Sequence, residues 1–320
     1  MKTPTKLNLA NLPTPLQHMV YNECRFVMKR DDLSGVELSG NKIRKLEYLL
    51  RNAKRNKSKY VFTCGGSQSN HCRATSVASA GLGLNTKLFL WGNDSVYPDG
   101  NIFLNKLIGV ETEFLSKKEY KNVDELMNIE KERYENKGKK VYIIPTGGSN
   151  SLGIWGYISF IEELKNQVNL RSYHGILTAV GSGGTAAGLL IGLALNQLNI
   201  KVYGVNVILK EVESREIIMK LVHDCLKSYH IPAKVNPQNL IILDGFSEEG
   251  YKNISSDKLE LIIDFYRKSG ILLDPAYTGK AFFAFNKYFL KGKKRSNMLF
   301  LHTGGFLGVF SKRRNYLSCV

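Results

Sequence analysis

The feature that most constrains the fold of this chain is the alternation of short apolar runs with helical segments. Runs rich in β-branched and aromatic residues predict buried strands at 59–64, 87–91, 141–144, 175–180 and 201–207. Helical patterns between and around these runs predict helices at 68–81, 100–109, 123–137, 152–167 and 185–199. Strands joined by helices run parallel, with helices on both faces of the sheet. The sequence therefore predicts an α/β fold with mostly parallel sheets flanked by helices.

The length of the chain limits the number of domains, and its apolar pattern indicates the cellular compartment. Its 320 residues suffice for two domains or for one large domain with an insertion. Residues 1–16 hold prolines, lysines and threonines but no continuous apolar stretch, which argues against a secretory signal. The uncharged run 175–200 is interrupted by a glycine-rich segment, so a strand, a loop and a helix explain it better than a membrane span. We therefore expect a cytoplasmic protein.

Cysteine usage favours the same compartment. The five cysteines lie at positions 24, 64, 72, 225 and 319, and no two of them form a C-x-x-C pair. An odd and scattered set in a chain without a secretory signal is typical of reduced thiols in the cytosol. His71 and Cys72 are isolated neighbours, and no other His or Cys pair has the spacing of metal ligands. We expect no metal site.

The formal net charge of +17 raises the question of an anionic partner. Lysines and arginines cluster at 51–59, 131–140, 291–295 and 312–314, as they would on a surface that binds nucleic acid. No nucleic-acid motif accompanies these clusters, so a solvated basic surface is the favoured interpretation. A polyanion binder stays open as an alternative, and it predicts binding that weakens steeply with salt.

Lys42 lies in the first turn of a predicted helix. Apolar residues recur at helical spacing after it, and Ser39 or Asn41 can cap the helix start. The helix dipole disfavours a cation there, and an amine must be neutral to form an imine. Lys42 is therefore a candidate Schiff-base lysine, although lysines near helix starts are common.

Glycine-rich and hydroxyl-bearing segments follow several of the predicted strands, where ligands bind in α/β folds. The segment GSGGT at 181–185 joins a strand to a helix and can aim backbone N–H groups at a phosphate, although a plain tight turn would look similar. Ser69 and Asn70 follow another strand, and Thr303 follows a third. Tyr277 lies in a turn before a helix. Caps, turns and core packing account for many such residues taken singly.

Six stretches in order along the chain carry a more specific resemblance: GNKIRKLEYLL, GGSQSNHCRA, IPTGGSNSLGIWGY, GSGGTAAG, LLDPAYTGKA and LHTGG. They resemble the fold-type II pyridoxal 5′-phosphate (PLP) enzymes that include D-cysteine desulfhydrase and 1-aminocyclopropane-1-carboxylate (ACC) deaminase. The resemblance covers residues 13–310. It implies a two-domain, tryptophan synthase β-like architecture, with a large PLP-binding domain at 1–44 and 158–320 and a smaller α/β domain at 45–157. It also implies a homodimer.

The resemblance assigns roles to the cofactor-binding residues. It implies that Lys42 holds PLP as a Schiff base and later moves the α-proton of the substrate. It implies a phosphate loop whose members are Gly181, Ser182, Gly183, Gly184 and Thr185. Asn70 is similar to the residue beside the phenolic oxygen of PLP, and Thr303 to the neutral partner of its pyridine nitrogen.

The resemblance also implies residues that act on the substrate. Ser69 matches the serine near the substrate carboxylate, and Tyr277 and Tyr251 resemble the two tyrosines that face the substrate. A hydroxyl such as that of Thr303 does not keep the pyridine nitrogen protonated, so the ring is a weaker electron sink and prompt loss of a β-leaving group is favoured. A tyrosine acts as acid or base if its pKa falls from about 10 toward working pH.

Two differences bear on the choice of substrate. Thr278 follows Tyr277 where ACC deaminases carry glutamate, and His71-Cys72 replaces their Gln-Thr. Both favour conversion of D-cysteine to pyruvate, ammonia and hydrogen sulfide, with deamination of ACC to 2-oxobutyrate as the alternative.

Other differences leave the substrate open. Ser67 replaces an apolar residue of the family, and Glu248 and Glu249 add carboxylates before Tyr251. These carboxylates either reshape the substrate pocket or lie in water. D-serine, a β-substituted alanine and L-cysteine remain alternatives, as does a PLP-binding protein with little turnover.

Overall fold

The computed structural model describes residues 1–246, 248–250 and 253–319. Tyr251, one of the two predicted substrate-facing tyrosines, lies outside the described residues. The strands are β1 (Leu16–Tyr21), β2 (Cys24–Arg30), β3 (Tyr60–Gly66), β4 (Asn85–Trp91), β5 (Glu111–Leu115), β6 (Val141–Ile143), β7 (Gly175–Val180), β8 (Lys201–Asn206), β9 (Leu240–Leu243) and β10 (Arg295–His302).

The helices alternate with these strands over most of the chain. They are α1 (Lys42–Arg55), α2 (Asn70–Gly81), α3 (Gly100–Ile108), α4 (Val123–Glu135), α5 (Trp155–Lys165), α6 (Gly184–Leu195), α7 (Glu211–Tyr229), α8 (Ser256–Ser269), α9 (Thr278–Phe285), α10 (Phe306–Phe310) and α11 (Arg313–Leu317). The predicted α/β class is therefore confirmed.

The five strands and five helices that the sequence predicts are all present, with ends that differ by a few residues. The difference at the start of α5 has a local cause: the Oδ1 atom of Asn150 accepts hydrogen bonds from the N–H groups of Leu152 and Gly153. This turn delays the helix to Trp155. The sequence pattern missed β1, β2, β5 and β9 and gave only the end of β10. β1, β5 and β9 are short or partly exposed, whereas β2 and β10 are mostly buried but carry charged or polar residues that interrupt the apolar run.

The strands form two sheets. The larger has the order β1-β2-β10-β7-β8-β9, and only the β1–β2 hairpin is antiparallel. The smaller has the order β5-β4-β3-β6 and is parallel throughout. β7 is buried along its whole length, because it lies inside the larger sheet with helices on both faces. Such a strand reads as a continuous apolar run, which explains why the sequence predicted it.

Separate apolar clusters lie on the faces of the two sheets. In the larger sheet, Ile176 packs on one face among residues of α5 and α6, while Leu177 packs on the other against Phe282 and its neighbours. In the smaller sheet, Val61 packs against α1 and Phe62 against α4. The predicted domain boundaries fall within α1 and α5, and the division into 1–44 with 158–320 and 45–157 stays a prediction.

The connections of both sheets place several loops at the carboxyl ends of strands. β3 leads to α2, β7 leads to α6, and β10 leads to the segment that begins at Thr303. These are three of the loops that the sequence singled out. Within the part of the chain that the structure covers, no helix combines the length and the apolar character that a membrane crossing requires.

Candidate active site

A cleft of about 430 Å³ collects the predicted site residues. Its lining includes Lys42, Ser69, Asn70, Gly181, Ser182, Gly183, Gly184, Thr185, Tyr277 and Thr303. Every predicted residue that the structure describes thus lines one cleft, although the sequence scatters these residues between positions 42 and 303. Their chemical roles stay predictions.

Lys42 is the first residue of α1 and is half-buried in the cleft wall. Burial lowers the pKa of its amine from 10.5 to about 8, because desolvation disfavours the charged form. A Cβ atom placed on Gly147 would lie 3.6 Å from the Lys42 Nζ atom. Gly147 has φ +64° and so suits the close approach of backbone to this amine. Lys42 is accessible to a ligand and is more easily deprotonated than an ordinary lysine.

The loop between β7 and α6 forms one end of the cleft. Gly183, at φ +76°, precedes the first residue of α6, so free backbone N–H groups and the positive end of the helix dipole face the cleft. The hydroxyl of Thr185 accepts a hydrogen bond from the Asn41 side chain over 3.0 Å, which leaves its own proton for a ligand. This end of the cleft is suited to an anion such as a phosphate.

Lys45 is a second amine at the same end of the cleft, and sequence reasoning missed it. Its Nζ atom donates to the Gly147 carbonyl over 3.2 Å and to Ser149 Oγ over 3.0 Å, and among the described residues it has no carboxylate partner. Burial and the nearby charge of Lys42 lower the pKa of Lys45 well below 10.5. A Cβ atom on Gly184 would lie 2.6 Å from this Nζ atom, so the amine lies at the start of α6. Lys45 follows Lys42 by three residues on the same helix, but this spacing is common among helical lysines and did not mark a second site residue.

The loop between β3 and α2 contributes hydrogen-bonding groups to the cleft. Ser69 caps α2, since its Oγ atom accepts from the Cys72 N–H group over 3.2 Å. Its hydroxyl proton stays available to a ligand. Asn70 Oδ1 accepts from Asn101 Nδ2 over 2.9 Å, so the Nδ2 group of Asn70 is the part left to donate. Both residues can hold an oxygen-rich ligand.

His71 is a neutral histidine in the same wall. Thr63 Oγ1 donates to the Ile144 carbonyl over 2.8 Å, so at its 2.9 Å contact with His71 Nε2 the threonine accepts and the ring nitrogen carries the proton. Burial, followed by the charges of Lys42 and Lys45, lowers the pKa of His71 well below 6.5. The ring therefore adds no positive charge to the cleft.

Tyr277 and Thr303 lie on segments that Asp274 connects. The Asp274 carboxylate accepts from the backbone N–H groups of Tyr277 over 2.9 Å and Thr278 over 2.7 Å. A Cβ atom on Gly305 would lie 2.5 Å from the same carboxyl group, two residues after Thr303. A buried carboxylate thus fixes the turn before α9 against the segment after β10.

Thr278, one of the residues that distinguishes this sequence from ACC deaminases, faces away from the cleft. Its hydroxyl donates to Asp274 Oδ1 over 2.7 Å and accepts from the Asp274 N–H group over 2.9 Å. It is fully buried. Thr278 is absent from the cleft lining, and none of the described lining residues is an aspartate or a glutamate.

The carboxylates at 248 and 249 occupy different environments. Glu248 is exposed to solvent. Glu249 receives two hydrogen bonds of 2.9 Å from Lys258 Nζ and lies 3.6 Å from the amine of Lys280. Neither residue lines the cleft. Glu249 is therefore part of a partly buried ion pair, and Glu248 lies in water.

Several further lining residues were not assigned from the sequence: Trp91, Lys117, Tyr120, Thr146 and Ile208. They lie at strand ends or in the loops that follow. Thr146 belongs to the quoted stretch IPTGGSNSLGIWGY but was given no role, and the sequence around Lys117, Tyr120 and Ile208 has no glycine-rich pattern that marks a site.

Comparisons with known proteins identify the family to which the chain belongs. The family model described as pyridoxal-phosphate dependent enzyme matches residues 7–304. A Thermotoga maritima protein named as a candidate 1-aminocyclopropane-1-carboxylate deaminase is 41% identical over 97% of this chain and 99% of its own length. A bifunctional D-cysteine desulfhydrase/1-aminocyclopropane-1-carboxylate deaminase of Arabidopsis thaliana, named as mitochondrial, is 38% identical over 95% of this chain and 79% of its own length. The crystal structure of an ACC deaminase homologue is 33% identical, has a TM-score of 0.88 and covers 99% of this chain and 97% of its own.

The donor set of the cleft fits PLP. The phosphate matches the N–H groups at the start of α6 and the amine of Lys45, which has no carboxylate partner among the described residues. The aldehyde matches the amine of Lys42, whose pKa is lowered. The free N–H group of Asn70 suits a phenolic oxygen. When bound, PLP supplies an electron sink for negative charge at the substrate Cα atom.

Proposed function

Because this chain belongs to the family of pyridoxal-phosphate dependent enzymes, we propose that it is a lyase that converts D-cysteine to pyruvate, ammonia and hydrogen sulfide. Lys42 is the observation that carries the proposal, since its amine has a lowered pKa and opens onto a cleft with an anion-binding end. The cofactor follows from the family. We propose that the substrate is D-cysteine and that its carbon–sulfur bond breaks.

In this proposal Lys42 binds the cofactor and then removes the α-proton of the substrate. Ser69 orients the substrate carboxylate through its free hydroxyl proton. The ring of Tyr277 lies beside the phosphate loop, since a Cβ atom on Gly181 would lie 3.2 Å from its Cε1 atom. From there Tyr277 exchanges a proton with the departing group. The resemblance alone supports Tyr251 as a second tyrosine that acts on the substrate.

The charge of the cleft supports a thiol substrate over ACC. The described lining residues include no carboxylate, and Thr278 bonds to Asp274 where ACC deaminases have glutamate. A cleft without a carboxylate favours departure of a β-leaving group as an anion. Thr303 at the pyridine nitrogen would leave the ring a weaker electron sink, which also favours prompt elimination.

Deamination of ACC is the second candidate, because the Thermotoga and Arabidopsis relatives carry ACC deaminase in their names. The decisive experiment gives the purified holoenzyme D-cysteine, L-cysteine and ACC in parallel, and measures sulfide, pyruvate and 2-oxobutyrate. We expect sulfide and pyruvate from D-cysteine and no 2-oxobutyrate from ACC. Formation of 2-oxobutyrate without sulfide would establish the second candidate instead.

The role of Lys42 is tested separately with Lys42→Ala. We expect loss of the visible absorbance of the lysine-bound cofactor and loss of turnover. Lys54→Ala is the matched control, because Lys54 is an exposed lysine further along α1. Full activity of Lys42→Ala would refute the assignment. A yellow wild-type protein whose spectrum ignores all three amino acids would indicate cofactor binding without turnover.

The resemblance to homodimeric enzymes supports the further proposal that the protein is a homodimer, and the cytoplasm is its proposed location. Light scattering during size-exclusion chromatography of the holoenzyme tests the first proposal. A mass of about 72 kDa, twice the 36.0 kDa of one chain, is expected. Microscopy of a tagged protein in its native cell tests the second.

A further inference from the structure

Asn101 connects a buried arginine to Asn70 in the wall of the cleft. The Asn101 side chain is fully buried in α3. Its Oδ1 atom accepts from Arg73 Nε over 3.1 Å. Its Nδ2 atom donates to Asn70 Oδ1 over 2.9 Å and to the Gln68 carbonyl over 3.0 Å. All the polar atoms of this buried amide therefore have partners.

The arginine determines which way both amides point. A guanidinium group has only donors, so the atom of Asn101 that faces Arg73 must be its oxygen. The Asn101 NH₂ group then faces Asn70, and Asn70 must offer its oxygen in return. The orientation of an isolated amide is often ambiguous, but this network admits one orientation only. The NH₂ group of Asn70 is left for the cleft.

Arg73 also holds the segment that precedes Lys42. Its Nη2 atom donates to the Ser39 carbonyl over 3.0 Å, and its Nη1 atom donates to the Glu37 carbonyl. Arg73 is 1% exposed and, among the residues described, forms no ion pair with a carboxylate, although the charge of Glu37 acts on it from further away. Burial of an unpaired charge is costly, so its donors must be well matched by these oxygens. One guanidinium group thus fixes the approach to Lys42 and the orientation of Asn70.

We propose that Arg73 and Asn101 are positioning residues that hold the NH₂ group of Asn70 toward the phenolic oxygen of PLP. This inference rests on the proposed role of Asn70. A donor at that oxygen would compete for it with the proton that a bound cofactor would share with Lys42, and that proton would be held less tightly. Without this network the Asn70 amide turns or becomes mobile. The phenolic oxygen of PLP then loses the hydrogen bond from Asn70, and the proton shared with Lys42 is its remaining hydrogen-bond donor.

Asn101→Asp tests the network with almost no change in shape. Aspartate still accepts from Arg73, but it has no group to donate to Asn70, so the Asn70 amide turns its NH₂ group away from the cleft. We expect the pKa of the shared proton, measured by pH titration of the visible absorbance, to rise by about one unit. We also expect the dissociation constant of PLP to rise about tenfold. Asn70→Ala should shift the titration in the same direction.

Asn101→Ala is a second test of the network, and Asn105→Ala is its matched control. Asn105 lies one turn further along α3 and is buried, and neither polar atom of its side chain has a hydrogen-bond partner in the described part of the chain. We expect Asn101→Ala to shift the titration and Asn105→Ala to leave it at the wild-type value. Equal shifts in both variants would overturn the network, because general loosening of α3 would then explain them.

The outcomes separate the inference from the proposed function. An unchanged titration in Asn70→Ala would remove the role of Asn70 itself, and the inference with it. A shift in Asn70→Ala without one in Asn101→Asp would overturn the network alone. If the Asn101 variants do not fold, a neutron structure of the deuterated wild-type holoenzyme shows which atom of the Asn70 amide faces the phenolic oxygen. Deuterium atoms on the Asn70 nitrogen that point at the phenolic oxygen support the network, and an Asn70 oxygen there refutes it.

Discussion

Arg44 donates from Nε and Nη2 to the two carboxylate oxygens of Asp31, with both hydrogen bonds at 2.8 Å. The pair is buried, and Arg44 lies two residues after Lys42 in α1. Arg44 Nη1 also donates to Glu163 in α5 over 2.8 Å. A charged network behind the cleft therefore fixes the helix that carries Lys42.

Replacing Arg44 by methionine leaves the Asp31 carboxylate buried without its cation. Removal of one partner of a buried pair costs about 3–5 kcal/mol in the free energy of unfolding. We expect a loss of this size in urea unfolding of Arg44→Met, while Arg51→Met, at an exposed position of α1, changes little. A cost below about 1 kcal/mol for Arg44→Met would show that the pair does not stabilise the fold.

Glu163 should make the protein sensitive to acid. Burial opposes the charged form of Glu163, but Arg44 and Lys29 outweigh it and lower the pKa of its carboxyl group from 4.5 to about 2. A folded-state pKa below the unfolded value contributes stability above pH 4.5, which is lost as pH falls toward 2. We expect Glu163→Gln to be less stable than the wild type at pH 7 and this difference to shrink between pH 4.5 and 2. A difference independent of pH would contradict the assignment.

Loading of PLP onto the apoenzyme should depend on the protonation of Lys42. Only the neutral amine reacts, and burial lowers its pKa to about 8. We expect the loading rate to rise about fivefold from pH 7 to 8 and to level off above pH 9. Stopped-flow absorbance measures this rate. A rate that keeps rising to pH 10 would indicate an ordinary lysine.

Lys45→Met should weaken binding of PLP through its phosphate. Hydrogen bonds to a charged group contribute about 1.5–3 kcal/mol, so the dissociation constant of PLP should rise about 10- to 100-fold. Pyridoxal, which lacks the phosphate, should bind the variant as it binds the wild type. Lys54→Met is the control on the same helix. Equal losses for PLP and pyridoxal would place Lys45 away from the phosphate.

Gly40→Ala should disturb the segment that holds Thr303. Gly40 has φ +104°, and a Cβ atom there would lie 2.6 Å from the Thr303 carbonyl oxygen. Strain of this kind costs about 1–3 kcal/mol, and we expect lower stability together with lower turnover. Gly81→Ala is the control, because a Cβ atom at that position meets nothing within 4 Å. Wild-type stability of Gly40→Ala would refute the close approach.

The sequence by itself determined the α/β class and the positions of the buried strands. Local apolar patterns are strong where a strand is covered on both faces, as β7 is, and weak for short or edge strands such as β9. It also picked out Lys42, the 181–185 loop and Asn70, since glycines and polar side chains after strands leave a pattern that can be read along the chain. Local patterns therefore revealed the parts of the site that are built locally.

Only the tertiary structure identified Lys45, Arg73 and Asn101 as residues of the site or its support. Lys45 looks like any helical lysine until its amine is seen beside α6, and the Arg73–Asn101 hydrogen bond joins residues 28 positions apart. The tertiary structure also showed that Thr278 bonds to Asp274 and that Glu249 pairs with Lys258. Hydrogen-bond direction and burial depend on contacts between distant segments, and no local pattern records them.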